Sequence, residues 1–350
     1  MDAERSSGYE KAYASARRLV RGGLVDAGEI QDILPVIERY PVRISSYVAR
    51  HIDSTDPSCP LRCQFVPAAG ELEWEPGHSD DPLNESVHMP LPGLVHRYPD
   101  RILLHVSADC ASLCRFCFRK SLLGNRQTVL HGSNWPHAMA YLAASESVRE
   151  VILSGGDPFT LPYGVLMEVM RDLTRLPRTP RIRVHTRVPV VDPERITGPL
   201  IGALSMAENL RLVVHVNHPA ELVAESLASL DRLSRAGFEL LSQSVLLKGV
   251  NDRSRILRDL FSGLMRHGIQ PYYLHHTDPA RGTAHFSVTL TEGAALFRKT
   301  RASLPDAWLP RYVVDLPELG RKTEVERLVL AGGSDRYGQS VPCVISDTAN

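Results

Sequence analysis

Residues 101–120 read RILLHVSADCASLCRFCFRK, a short apolar run followed at once by Cys110, Cys114 and Cys117 in the spacing Cys-x3-Cys-x2-Cys. Three thiolates on one short loop can hold three irons of a [4Fe–4S] cluster, which ordinarily takes four cysteines. The fourth iron is then left to chelate a small molecule, such as the amino and carboxylate groups of S-adenosylmethionine. The cluster becomes a reagent for making radicals. A structural zinc site completed by His105 is the competing reading. Such sites usually split their ligands into two short pairs with a longer loop between them, whereas these three cysteines fall within eight residues.

The loop follows the first of six apolar runs, at 101–106, 150–153, 181–186, 210–217, 239–247 and 271–274. Amphipathic stretches lie between them, among them PYGVLMEVMRDLTRL, AELVAESLASLDRLSRAG and SRILRDLFSGLMRHG. The last two end at Gly237 and Gly268, where a helix stop is expected. This alternation predicts a parallel sheet with right-handed crossovers. Six units predict an α/β fold, an open (β/α)6 partial TIM barrel with its chemistry at the C-terminal strand ends. Upstream, residues 8 to about 50 read as helical, with Pro35 bending or ending one helix. Residues 53–100 are rich in Pro, Asp and Ser and read as an ordered wrapping segment with little regular structure. The expected division is an N-terminal helical and wrapping segment at 1–95, the barrel at 96–290 and a C-terminal extension at 291–350.

With 43% hydrophobic and 23% charged residues in 350, the chain has the composition of a soluble protein. Forty basic residues balance forty acidic ones, so no net field recruits nucleic acid or an anionic membrane. No run approaches the roughly 20 apolar residues of a membrane span, and the N-terminal MDAERSSGYEKAYASARR lacks the apolar core of a signal peptide. A cytoplasmic location is expected. Six cysteines suit a reducing compartment, and Cys59, Cys63 and Cys343 read as ordinary cysteines.

The strand ends carry the remaining candidates. The second strand closes as VILSGGDP, where Gly155 and Gly156 let backbone approach a ligand and Asp157 adds a carboxylate. Arg187, then His215, Asn217 and His218, then Gln243 and Ser244, follow the next three strands. The sixth gives PYYLHHTDPARGTAHF with His275, His276 and Asp278, and RYVVDLPELGRKTEVE adds Asp315 and Lys322. Each residue alone reads equally well as a turn or a satisfied core group. Their repetition on one rim points to a site, although nothing in spacing or composition marks Lys322.

The cysteine loop after a first strand resembles the radical S-adenosylmethionine superfamily, and Gly155-Gly156-Asp157 resembles its segment that holds the methionyl amino group. Together with HRYPDR (96–101), VNHP, QSVLLKGVND, PYYLHHTD with GTAHF, and VVD before Lys322, residues 50–325 resemble the lysine 2,3-aminomutase family. That family also carries pyridoxal phosphate. The resemblance implies that Lys322 binds pyridoxal phosphate covalently and that Arg97 and Arg101 grip its phosphate. It implies Arg119 for the substrate α-carboxylate, Asp278 and Asp315 for the distal ammonium of free lysine, and His215 and Gln243 as S-adenosylmethionine contacts. The implied activity is an isomerase that moves the α-amino group of a cationic amino acid, L-lysine first, to the β carbon. A flavodoxin- or ferredoxin-type protein would supply electrons.

The same isomerisation of a lysine on translation elongation factor P, and an arginine 2,3-aminomutase, are alternatives. A metal-cluster binding protein without catalysis is the alternative of another class. The chain departs from the family's lysine enzymes in having ELGR before Lys322 and Thr323-Glu324 after it, in place of a glycine-rich turn and a proline. His275 stands where a tyrosine is expected. Arg253 offers no thiol for an intersubunit metal site and the tail holds only Cys343, which leaves open both homo-oligomerisation and whether the substrate is free or protein-bound.

Overall fold

The computed structural model describes residues 12–130, 132–178, 180–316 and 321–330. Among these, nine strands form one sheet in chain order: β1 (Leu94–Tyr98), β2 (Arg101–Ser107), β3 (Glu150–Gly155), β4 (Arg181–Thr186), β5 (Leu210–His215), β6 (Glu239–Val245), β7 (Gln270–His275), β8 (Arg311–Leu316) and β9 (Arg321–Glu324). Strands β2 to β8 are parallel neighbours, while β1 and β9 pair antiparallel at the two edges.

Twelve α-helices are described. Four precede the sheet: α1 (Ala16–Arg21), α2 (Ile30–Arg39), α3 (Ser46–His51) and α4 (Pro60–Phe65). The crossovers contain α5 (Asn134–Ala144), α6 (Tyr163–Thr174), α7 (Val188–Val191), α8 (Gly198–Leu204), α9 (Ala224–Arg235), α10 (Ser254–Arg266) and α11 (Leu290–Arg301), and α12 (Val325–Leu330) follows β9.

The partial α/β barrel expected from the alternation is present, with a larger strand inventory. The run 311–316, read only as a short apolar segment, is a seventh parallel strand, because α11 supplies one more crossover. Within the supposed wrapping segment, LVHRY forms β1. Pro99 and Asp100 turn it back onto β2, so that Tyr98 opposes Arg101. Pro35 neither ends nor starts its helix: α2 runs four residues beyond it to Arg39. Gly237 and Gly268 do close α9 and α10, at φ +91° and +70°. After α9 the Phe238 and Gly237 N–H groups bond back to Leu233 and Ser234 carbonyls, at 3.3 and 2.9 Å.

Period-2 alternation divides the strands into two faces. In β4, Ile182 and Val184 join the core against the helices, beside Leu166, Met170 and Leu173 of α6, while Arg183 and His185 alternate with them. In β8, Tyr312 and Val314 join that core, and Val313 and Asp315 lie on the other face. Polar residues on one face and a continuous apolar layer on the other are the mark of a barrel whose interior is a site. No helix among the described residues is long and apolar enough to cross a membrane. Cys343 and residues 317–320 lie outside the described residues.

Candidate active site

The cysteine loop is seated on the turn after β3. The Gly156 N–H donates to the Ser107 carbonyl at 2.6 Å, and Asp157 N–H to the Asp109 carbonyl at 2.7 Å. A Cβ on Gly155 would lie 2.7 Å from the Ser107 oxygen, and one on Gly156 would meet the Asp109 backbone. The two glycines thus admit the cluster loop itself, one step before any ligand. Arg43 donates to the Cys110 carbonyl at 2.9 Å from the other side. Below the loop, Glu71 accepts from Arg115 Nη2 and Lys120 Nζ, each at 2.6 Å. Lys120 also reaches the carbonyls of Arg115 and Gly282, both at 2.8 Å. Burial pulls the Lys120 ammonium down to about 8 despite Glu71.

Burial pushes all three thiols up, Cys117 to about 11, and each cysteine's neighbouring thiols add to the rise at Cys110 and Cys117. Such thiols give up their protons to a bound cation, which inverts the local preference. Among the described residues no three His, Cys, Asp or Glu side chains converge closely enough for a single metal ion. A cluster asks instead for thiolates that each bind a different iron, and Cys110, Cys114 and Cys117 are all free on one loop. His105, the fourth ligand of the zinc reading, turns elsewhere: its Nδ1 lies 3.3 Å from the Thr128 carbonyl and its Nε2 3.8 Å from Glu85.

Asp157 is buried beside the cysteine loop. Its carboxylate accepts from Thr186 Oγ1 (2.8 Å), Arg187 N (2.7 Å), Phe159 N (3.0 Å) and Val188 N (3.2 Å). The side chain therefore pins the β3 turn to the end of β4, and the exposed groups of the turn are backbone. Arg187, held by that contact, sends its guanidinium to Cys114 Sγ at 2.7 Å.

Arg119 is buried. Glu85 accepts from its Nε at 2.8 Å and from its Nη2 as well, a two-point ion pair. Burial opposes the Arg119 charge, and Glu85 outweighs burial, so its pKa is raised. Asp278 adds to that rise, which places its charge within reach of Arg119.

The open edges of the sheet meet through side chains. Arg97 on β1 lies 2.8 Å from Asp315 Oδ1, and Lys322 on β9 donates to Asp315 Oδ2 at 2.9 Å. Arg97 Nε and Nη2 and the Tyr98 hydroxyl are buried with no hydrogen-bond partner among the described residues. The Tyr98 ring has the Arg97 guanidinium 5.6 Å away and that of Arg101 at 5.3 Å, and Lys322 Nζ lies 5.9 Å from the Tyr273 ring. Arg101 is fastened bidentately to its neighbour Asp100, at 2.9 and 2.8 Å. Two buried, unused guanidinium donors beside a lysine are what a phosphate-bearing aldehyde needs. The residues present fit pyridoxal phosphate.

Further along the interior, Gln243 pairs in register with His215 and Tyr273. His215 Nε2 lies 3.1 Å from Asn217 Oδ1, and its ring sits 5.4 Å from Phe116 of the cluster loop. Burial holds His185, His215 and His275 well below the ordinary histidine range, and nearby cations deepen the shift: Arg183 for His185, Arg187 for His215, Lys322 for His275. The barrel interior thus holds neutral rings among cations. Glu71, Glu85 and Tyr98 escaped the sequence reading, as did the contact between Arg187 and the cluster loop. The signal for the two glutamates is faint: acidic residues in a Pro-rich stretch, upstream of a basic loop.

A parallel partial barrel with three cysteines after its first barrel strand, and a Gly-Gly-Asp turn seated against them, defines a radical S-adenosylmethionine enzyme. No protein-family profile matches the chain. It is 35% identical to an L-lysine 2,3-aminomutase of Methanococcus maripaludis over 313 residues, 89% of this chain and 72% of that one. It is 34% identical to the L-lysine 2,3-aminomutase of Clostridium subterminale over 297 residues, 85% and 71% of the two chains. The Escherichia coli protein of the same name is 33% identical over 82% of this chain and 84% of its own length. The chain belongs to the lysine 2,3-aminomutase family. It is an isomerase, a radical S-adenosylmethionine aminomutase, and its family implies a [4Fe–4S] cluster, S-adenosylmethionine and pyridoxal phosphate as cofactors.

Proposed function

We propose that the chain converts L-lysine to β-lysine, with pyridoxal phosphate held on Lys322 and the cluster on Cys110, Cys114 and Cys117. The observation that carries this reading is the pairing of Asp315 with an ammonium group, that of Lys322, at 2.9 Å. Joining Lys322 to the cofactor would remove its ammonium charge and leave Asp315, still paired with Arg97 at Oδ1, without an ammonium partner at Oδ2. Lysine brings one. A buried carboxylate oxygen left without its hydrogen-bond partner is costly, so a side chain that cannot donate to Oδ2 is disfavoured.

When bound, the cluster and S-adenosylmethionine supply a carbon radical for hydrogen abstraction, and pyridoxal phosphate supplies the conjugated system through which nitrogen migrates. The protein's own residues orient these parts. Arg97 would offer its unused Nε and Nη2 to the phosphate, with Arg101 beside it across Tyr98. Glu85 holds the Nε–Nη2 edge of Arg119, which leaves the Nη1 edge for the substrate α-carboxylate. Asp278 joins Asp315 at the distal ammonium. Gly155 and Gly156, with Asp157 fixing their turn, and His215 and Gln243 line the S-adenosylmethionine side.

A substrate panel tests the reading. Anaerobically reconstituted protein, with reductant and S-adenosylmethionine, is given lysine, arginine or translation elongation factor P in parallel arms. β-Lysine in the free-lysine arm supports it. Turnover confined to arginine, or to the protein-bound lysine, contradicts it.

A further inference from the structure

We infer that Arg187 sets the reduction potential of the cluster, by donating a charged hydrogen bond to the thiolate of Cys114. The inference rests on the three-cysteine reading of the cluster loop and goes beyond it. Arg187 Nη1 lies 2.7 Å from Cys114 Sγ, and its Nη2 is held by Glu221 Oε2 at 2.7 Å and Gln64 Oε1 at 2.6 Å. The guanidinium is packed between the rings of Phe65 and Phe116, with centroids 4.5 and 5.2 Å from its carbon. The side chain is 7% exposed.

This is an expensive arrangement for a structural ion pair alone. Glu221 accounts for one nitrogen, and the fork is turned so that another faces sulfur. Reduction adds one electron to the cluster from an external low-potential donor, with no bond made or broken, and negative charge grows on the thiolate sulfurs. A fixed N–H donor on one of those sulfurs stabilises the reduced state more than the oxidised one, so the potential rises. Burial keeps water from screening the effect. The Arg187 backbone is fixed through Asp157, which also holds the turn beneath the cluster loop. Donor and sulfur are therefore placed by one rigid unit. Arg187 is a positioning and tuning residue: it acts through a cluster ligand, Cys114.

The test is a redox titration of anaerobically reconstituted full-length protein, followed by electron paramagnetic resonance. Iron and sulfide are counted first. Arg187→Gln should lower the ratio of reduced to oxidised cluster at a fixed potential about tenfold, which for a one-electron couple is a shift of about 59 mV to more negative potential. Arg187→Lys, which keeps the charge but loses the fork, should fall between. Full iron and sulfide with an unchanged potential in both variants would overturn the inference. If the variants do not hold a cluster, wild-type protein labelled with 15N-arginine decides. Pulsed resonance of its reduced cluster should show a coupled arginine nitrogen, and absence of that coupling overturns the inference. Wild-type protein that assembles no cluster would instead sink the three-cysteine reading, and this inference with it.

Discussion

Asp315 and Lys322 face each other in register across the antiparallel pair of β8 and β9, with Lys322 Nζ 2.9 Å from Asp315 Oδ2. The two residues close the open side of the barrel together with Arg97 of β1, so the proposed cofactor lysine and the proposed specificity carboxylate share one seam. Replacing Asp315 by Ala should lower kcat/KM for lysine by about a hundredfold or more, chiefly through KM, since truncating a buried charge partner costs roughly 2–5 kcal/mol. Steady-state kinetics with free lysine measure it. An unchanged KM would remove Asp315 from the substrate site.

Lys322→Ala should abolish retention of pyridoxal phosphate through gel filtration, read from the visible band of the lysine-bound cofactor. Arg97→Ala should weaken retention roughly tenfold to a hundredfold, the scale of one or two charge-assisted hydrogen bonds. The variant should leave the cluster spectrum intact, because Arg97 contacts Asp315 and not the cysteine loop.

Gly156→Ala should prevent proper seating of the cysteine loop. The added carbon would meet the Asp109 backbone, with the nearby nitrogen at 2.8 Å, and overpacking of this kind costs about 1–3 kcal/mol. Iron and sulfide per chain should drop sharply after reconstitution, while far-ultraviolet circular dichroism stays near that of wild type.

Glu71→Ala should destabilise the protein by about 3–5 kcal/mol, because it strands Arg115 and Lys120 in the interior without their shared carboxylate. Denaturant unfolding of the full chain checks this. A change below about 1 kcal/mol would mean that the clamp beneath the cluster loop carries no weight.

Stability should fall on acidification through a window set by buried histidine. His276 is fully buried against the Tyr312 hydroxyl, 2.7 Å from its Nδ1, and burial lowers its pKa to about 4. Unfolded histidine titrates near 6.5. Between the two values the unfolded chain binds the extra proton, so stability rises with pH there and is lost as pH falls from about 6.5 to about 4. The full contribution is on the order of 3 kcal/mol. His276→Gln should flatten that part of the stability–pH curve, and an unaltered slope would exclude this ring as its source.

Six of the seven parallel strands were legible because each apolar run alternates with an amphipathic helix, and because Gly237 and Gly268 punctuate two of these helices; β8 was read only as a short apolar segment. Strand β1 was not: His96 and Arg97 break the apolar pattern of LVHRY, and only pairing with β2 makes it a strand. The cysteine spacing announced the cluster loop by itself. Glu85 and Glu71 stayed hidden, because their meaning comes from Arg119 and Arg115, 34 and 44 residues away. Asp157 was read toward a ligand, yet four protein donors surround its carboxylate, a fact of tertiary packing that no local spacing carries. Lys322 had no local signature at all. Its register opposite Asp315 is what singles it out.

The most direct test of the central claim follows the nitrogen atom. Wild-type protein with its cluster and pyridoxal phosphate, under reductant and S-adenosylmethionine, is given lysine labelled with 15N at the α-amino group. The account predicts β-lysine carrying the label on its β carbon. Formation of 5′-deoxyadenosine with lysine recovered unchanged, or β-lysine without the label, would contradict it.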